Sequence, residues 1–306
     1  MNAVRLSDYD AAPMIAQVAK PQPKPGEVVV RVTAASLNPL DVKLQRGYMK
    51  DFFPIDFPYT MGTDFSGVVD SAIGTNGLTA GDKVIGRVEP TTGGALAEYV
   101  IVAASLLTKA PTTVAVDTAA GIPTCAGTAW QALFEVADLQ AGQTVLIHAG
   151  AGGVGSFAVQ FARSVGARVI ATASGEGIDS VRRLGADEVV DYRSQDFSKL
   201  VSGVDVVVDT IGGDTQQRSF GVLRKGGVLV AMATPPDEET AKSHGVTATF
   251  MFHSSDGARL KRVVDAIDSK KLEVLVDRDA DPVQFGDAFE RQASGSAHGK
   301  IIISFN

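Results

Sequence analysis

Short alternating stretches dominate the first hundred residues. Glu27 to Ala35, Phe65 to Ser71, Lys83 to Val88 and Ala97 to Val102 are rich in β-branched residues and bounded by Gly, Pro, Asn or Asp. That pattern predicts strands closed by turns, hence a small β-rich domain. Pro21-Gln22-Pro23-Lys24-Pro25-Gly26 is a stiff lead-in to the first of them. From Thr144 the period changes. Strands over Thr144–His148, Arg168–Thr172, Glu188–Asp191, Val204–Asp209 and Val228–Met232 alternate with helices over Val154–Val165 and Gly177–Leu184, each helix followed by a glycine. Glycine there supplies the left-handed cap. Alternation of this kind predicts a parallel sheet wound on both faces. The tail reads as a helix (Asp256–Ser269), an extended piece (Leu272–Asp277), a helix (Pro282–Gln292) and a last strand (Lys300–Phe305). That strand lies too far along the chain to extend the parallel sheet cheaply, so it is expected to return to the N-terminal β domain.

Where the helical alternation starts, the chain runs Gly150-Ala151-Gly152-Gly153-Val154-Gly155. This G-x-G-x-x-G follows an apolar strand and opens a helix, the context the dinucleotide fingerprint requires. The first glycine permits the tight turn, the second lets backbone approach a pyrophosphate, and the third lets helix and strand pack closely. Gly153 and Val154 would then offer helix N-terminal N–H groups to the phosphates. An enzyme selective for NAD usually carries an acid at the end of the second strand. Here that end reads Ala171-Thr172-Ala173-Ser174-Gly175. Ser174 suits a 2′-phosphate, with Arg182, Arg183, Tyr192 and Arg193 as further candidates. Glu176, if turned inward, would oppose it. The reading favours NADPH over NADH. Thr210 and Gly212 end the fourth strand of the series and should border the cofactor ribose.

Composition narrows the partners. The 306 residues suit two domains, and a net charge of −7 without a Lys/Arg stripe argues against nucleic acid. No apolar run reaches the ~18–20 residues of a membrane span. With Cys125 the only cysteine, neither an intramolecular disulfide nor a four-thiolate zinc site can form. The N-terminus does not read as a signal peptide, so a cytoplasmic location is expected.

Several strings, in order and spacing, carry a resemblance: Ser36-Leu37-Asn38-Pro39-Leu40-Asp41-Val42-Lys43, Gly62-Thr63-Asp64-Phe65-Ser66-Gly67, Gly81-Asp82-Lys83-Val84, Gly93-Gly94-Ala95-Leu96-Ala97-Glu98-Tyr99, Gly127-Thr128-Ala129-Trp130, Asp209-Thr210-Ile211-Gly212-Gly213, Lys225-Gly226-Gly227 and Gly299-Lys300. With the glycine loop, they make the chain resemble the zinc-free quinone oxidoreductase branch of the medium-chain dehydrogenase/reductase superfamily. The resemblance implies an α/β fold with a GroES-like β domain, placed at 1–118 and 256–306, and an inserted Rossmann domain at 119–255. It also implies NADPH as hydride donor, a site in a cleft between domains, and a homodimer through the Rossmann domains. Zinc-dependent members carry Cys and Gly-His-Glu ligands. Asn38 and Thr63-Asp64 stand there instead, and the cysteine-rich lobe is missing, so no metal is expected. Lys43 stands where quinone oxidoreductases proper often have tyrosine, which looks like the enone and alkenal reductases. The 2′-phosphate lysine of some members is absent from Gly175-Glu176-Gly177-Ile178.

Reducing an activated C=C needs a positioned hydride, stabilisation of the carbonyl oxygen as it gains enolate charge, and a proton at the α-carbon. Lys43 is the first candidate for the carbonyl, against a plain surface lysine. Asn38 is a donor to substrate or nicotinamide, or a turn residue. Tyr48 is a pocket wall or hydroxyl donor, or core. Asp41 orients the loop or Lys43. Thr128 meets the nicotinamide face, or caps a helix. Lys300 is placed at the pyrophosphate. Trp130, Phe134, Cys125 and His148 read as core, and Phe250-Met251-Phe252 as pocket or strand packing. The competing functions are an NADPH-binding sensor, structural or RNA-binding protein with little turnover, and a zinc-free alcohol dehydrogenase, which lacks an evident general base.

Overall fold

The computed structural model describes residues 1–73 and 77–305. The chain forms two compact units, Met1–Thr124 with Ser255–Asn306, and Cys125–Ser254.

The first unit begins with β1 (Asn2–Leu6) and β2 (Met14–Gln17), and continues through β3 (Glu27–Leu37), β4 (Tyr59–Thr60), β5 (Asp64–Ala72), β6 (Lys83–Arg87), β7 (Tyr99–Ala103) and β8 (Leu107–Lys109). In the second unit the strands are β9 (Thr144–Ile147), β10 (Arg168–Ala173), β11 (Glu188–Asp191), β12 (Val204–Asp209), β13 (Leu223–Ala231) and β14 (Thr247–Phe250). The chain then returns to the first unit for β15 (Val276–Ala280) and β16 (Lys300–Ser304).

β3 is the spine of the first unit. Val28, Val30 and Val32 on one face of it are almost wholly buried, as period-two alternation requires. It pairs antiparallel with β5 and β7, and with β16 in the register Ile301↔Leu37 to Ser304↔Ala34. The last strand thus returns to the N-terminal sheet as expected. Two helices precede β16 in the tail, Gly257–Lys270 and Phe285–Ala293. The extended piece before the second helix forms at Val276–Ala280, later than the sequence pattern places it. The boundary between units also falls later than residue 118. Ala119, Ala120 and Ile122 are fully buried, and the Ser36 hydroxyl donates to the Ala120 carbonyl at 2.9 Å, which ties this turn to β3.

The second unit is an all-parallel sheet in the order β11-β10-β9-β12-β13-β14. This is the doubly wound order, in which ligands bind beyond the carboxyl ends of the strands where the order reverses, here after β9. Among the elements the periodicity reading does not include are the Pro39–Gln45 helix and the Glu238–His244 helix. Both are only seven residues long, too short to show a helical period. Trp130 and Phe134 pack edge-on with Phe161, centroids 4.7, 5.5 and 6.3 Å apart. Cys125 is buried. No described helix is long and apolar enough to cross a membrane.

Candidate active site

The glycine loop leaves the carboxyl end of β9 and enters the Gly153–Ser164 helix. Its third glycine is sterically required. A Cβ on Gly155 would lie 2.1 Å from the Ala149 carbonyl oxygen and 2.9 Å from Gly150 Cα. A Cβ on Gly150 would meet Ala171 Cβ at 2.9 Å. At the N-cap, Gly152 is extended (φ −79°, ψ 172°) and no side chain caps the helix. Gly152, Gly153 and Val154 are partly exposed. A helix start with open amides and no side chain in front of it is a cradle for an anion, and a dinucleotide's pyrophosphate fits it.

The neighbouring strand ends bring further expected residues to the same edge of this sheet. Ser174 follows β10 and is buried. Tyr192 follows β11, its N–H donating to the Ala173 carbonyl at 3.2 Å and its ring exposed. Thr210 follows β12 and donates to the His148 carbonyl at 3.3 Å. Gly212 adopts φ 77° and caps the Gly213–Phe220 helix. The buried Asp209 holds that turn: its Oδ1 accepts from the Ile211 and Gly212 amides and its Oδ2 from Gln216, all at 2.9–3.0 Å. Arg182 is exposed and paired with Asp179. Thr128 is buried on the Pro123–Trp130 helix. At the end of β14, Phe250 and Phe252 meet edge-on at 4.9 Å, and Met251 is buried with Ala132 and Val230.

In the first unit, Asn38 caps the Pro39–Gln45 helix with a reciprocal box: its N–H donates to Asp41 Oδ2 at 2.7 Å. Its carboxamide orientation follows from its partners. Lys300 Nζ, which can only donate, lies 2.6 Å from Oδ1, and Asp64 Oδ2, an acceptor, lies 3.1 Å from Nδ2. The Asn38 carboxamide is thereby fixed, with Oδ1 toward the Lys300 ammonium and Nδ2 toward the Asp64 carboxylate. Asp64 in turn accepts from the Thr124 hydroxyl at 2.6 Å and the Thr124 amide at 3.1 Å. Arg87 donates to Ser255 Oγ at 2.6 Å. All of Asn38, Asp41, Asp64, Arg87 and Lys300 are buried. Burial pushes the Asp41 carboxyl up to about 7. Asp64 adds to this, while the Asn38 amide, Lys300 and Arg87 oppose it. Asp41 Oδ1, Thr63 Oγ1 and Arg87 Nε have no protein partner.

Lys300 lies in the same polar cluster as Asn38. Its ammonium is buried and bonded to the Leu37 carbonyl and Asn38 Oδ1, both at 2.6 Å. β16 lies beside β3, so its first side chain turns into this polar cluster. Lys43 and Tyr48 are both exposed, Tyr48 at 70%, which excludes a core role for that ring. Asp41 bonds Asn38 rather than Lys43. Asp64, Thr124 and Arg87 were not singled out from sequence as site residues. The only local signal was the Thr63-Asp64 pair within the Gly62-Thr63-Asp64 string. Among the described residues, no group of three His, Cys, Asp or Glu is placed to hold a metal ion.

Comparisons with known proteins agree with this architecture. A family model described as zinc-binding dehydrogenase matches residues 184–303, and one described as alcohol dehydrogenase GroES-like domain matches residues 24–112. The chain is 33% identical to a chloroplastic quinone-oxidoreductase homolog of Spinacia oleracea, over 99% of this chain and 98% of the relative. It is 34% identical to the chloroplastic NADPH-dependent alkenal/one oxidoreductase of Arabidopsis thaliana, over 99% of this chain and 79% of the relative. The solved structure of the quinone oxidoreductase from Coxiella burnetii matches with a TM-score of 0.90 at 29% identity, covering 100% of this chain and 99% of that one. With a GroES-like unit, a doubly wound dinucleotide unit and relatives along its whole length, the chain belongs to the medium-chain dehydrogenase/reductase superfamily, as an oxidoreductase of the branch that holds the quinone and alkenal/one oxidoreductases.

Proposed function

We propose that this protein is an NADPH-dependent, zinc-independent reductase of α,β-unsaturated carbonyls or quinones. The observation that carries the reading is the buried Lys300–Asn38–Asp64 chain, which sets an ammonium and a fixed carboxamide side by side where zinc-dependent relatives have metal ligands. Donors aimed in advance at a carbonyl oxygen stabilise the negative charge it gains in the transition state. The same cluster is a poor metal site, because a cation placed there would face the charge of Lys300.

For the cofactor, the Gly150–Gly155 loop would hold the pyrophosphate and Thr210 and Gly212 the adjacent ribose. Ser174 and Tyr192 would hold the 2′-phosphate, and Thr128 would line the nicotinamide. The strand end before Gly175 carries a hydroxyl where an acid would select NADH, and the Arabidopsis relative is named NADPH-dependent. When bound, the nicotinamide supplies the hydride. Lys43 would steady the developing enolate from its exposed place on the Pro39–Gln45 helix, Tyr48 would wall the substrate, and solvent would deliver the α-proton. The reading includes a homodimer through the parallel-sheet units and a cytoplasmic location, which suits a chain with one buried cysteine.

The test is decay of NADPH absorbance on mixing the protein with a panel of enones, alkenals and quinones, with NADH in parallel. Turnover of at least one class with NADPH preferred is expected. No decay across a broad panel refutes the function, and equal or better use of NADH refutes the cofactor assignment.

A further inference from the structure

Beneath the glycine loop, the hydrogen-bond directions around His148 can be worked out completely. The Ser219 hydroxyl donates to the Thr215 carbonyl at 2.7 Å. Toward His148 Nε2, 2.9 Å away, it can then only accept. Nε2 therefore carries the ring proton. Burial keeps the ring neutral, pushing its pKa down to about 4. Asp209 pulls the other way and Arg218 adds to the lowering. The Phe197 ring closes another side, edge-on at 4.7 Å. A neutral ring protonated on Nε2 leaves Nδ1 as an acceptor. The Thr172 hydroxyl, 3.3 Å from Nδ1, must be its donor. With its hydrogen committed to the ring, the Thr172 oxygen accepts the Ala149 amide at 3.1 Å.

Ala149 is where the glycine loop begins, and it sits at φ 51°. A residue with a Cβ is strained there unless its surroundings hold it. Its carbonyl is also the atom against which Gly155 packs, 2.1 Å from where a Cβ would be. The His148 main chain ties the same corner to β12, donating to the Val208 carbonyl at 3.1 Å and accepting from Thr210 Oγ1 at 3.3 Å.

We infer that His148 is a positioning residue of the cofactor site: as the Nε2–H tautomer it orients the Thr172 hydroxyl toward its own ring, which frees that oxygen to hold the Ala149 amide and with it the left-handed turn that sets the glycine-loop N–H groups. The inference rests on the proposed binding of a nicotinamide dinucleotide at this loop. It differs from a satisfied core histidine in what it predicts, because a core role would affect stability and leave cofactor affinity alone.

Two measurements on the full chain test it. In ¹⁵N-histidine spectra, the buried imidazole should show a protonated Nε2 and a bare Nδ1. A proton on Nδ1 overturns the inference. NADPH affinity is then followed by fluorescence titration. Thr172→Val, nearly equal in volume, should weaken NADPH binding about fivefold, the worth of one hydrogen bond. It should raise the KM for NADPH while kcat at saturation stays within about twofold. Thr172→Ser should restore binding. His148→Asn, whose Oδ1 stands in for Nδ1, should bind better than His148→Leu. If wild type binds NADPH and folded Thr172→Val binds it equally well, the inference fails alone. If wild type does not bind NADPH, the functional reading and the inference fall together.

Discussion

Asp41 offers the sharpest energetic prediction. Its carboxyl is 1% exposed, with one oxygen bonded to the Asn38 amide at 2.7 Å and the other without a protein partner. Burial raises its pKa from 3.8 to about 7. The folded state therefore binds this proton more tightly than the unfolded chain does. Stability from that binding is complete below about pH 4 and is lost as pH rises through about 7. Each tenfold in proton affinity is worth ~1.4 kcal/mol, so the whole span amounts to ~4 kcal/mol. That is a large part of the ~5–15 kcal/mol that holds a typical domain. Asp41→Asn keeps an oxygen for the Asn38 amide and removes the titration. Urea unfolding followed by circular dichroism at pH 4 to 8 measures the difference between the two proteins. They should be nearly equal at pH 4, with the variant ~4 kcal/mol more stable at pH 8. The difference between proteins also cancels His148, whose lowered pKa acts the other way and costs stability as pH falls from 6.5 toward 4. A gap that stays constant from pH 4 to 8 would refute the reasoning.

Three further outcomes follow from the geometry. Gly155→Ala sets a Cβ against the Ala149 carbonyl, backbone that has nowhere to go, so NADPH affinity should fall about tenfold or more with a lowered Tm; an unchanged Kd would contradict the close approach. Lys300→Met removes the ammonium that donates to the Leu37 and Asn38 oxygens, at ~1–3 kcal/mol each, so the urea midpoint should drop sharply; Lys300→Arg should not rescue it, because a planar fork cannot replace a point donor there. Lys43→Ala alters an exposed side chain and should move stability by less than ~0.5 kcal/mol, while kcat and kcat/KM for an enone fall together; unchanged kinetics would remove Lys43 from the mechanism.

The sequence alone was sufficient for the parallel sheet, the glycine loop and the return of the last strand. Each depends on a local property: the period of apolar residues, a glycine where a turn or close approach needs one, or a connection length. The same locality explains what went unread. Lys300 and Asn38 are 262 residues apart and meet only because β16 lies antiparallel to β3. Asp64 and Thr124 meet across 60 residues for a similar reason. Nothing in the string Gly299-Lys300 distinguishes a lysine that reaches a phosphate from one buried against an asparagine. That choice belongs to the register of two distant strands. Asp41 was visible as a residue that orients its loop, but its raised proton affinity comes from the absence of water around it, and burial is a property of the packed chain. His148 likewise reads as a strand-end core residue, and only Ser219 and Thr172, brought in from two other elements, decide which nitrogen holds its proton. Local pattern determined which backbone this protein builds; the tertiary structure decided which polar groups are cut off from water together, and so what each of them can do.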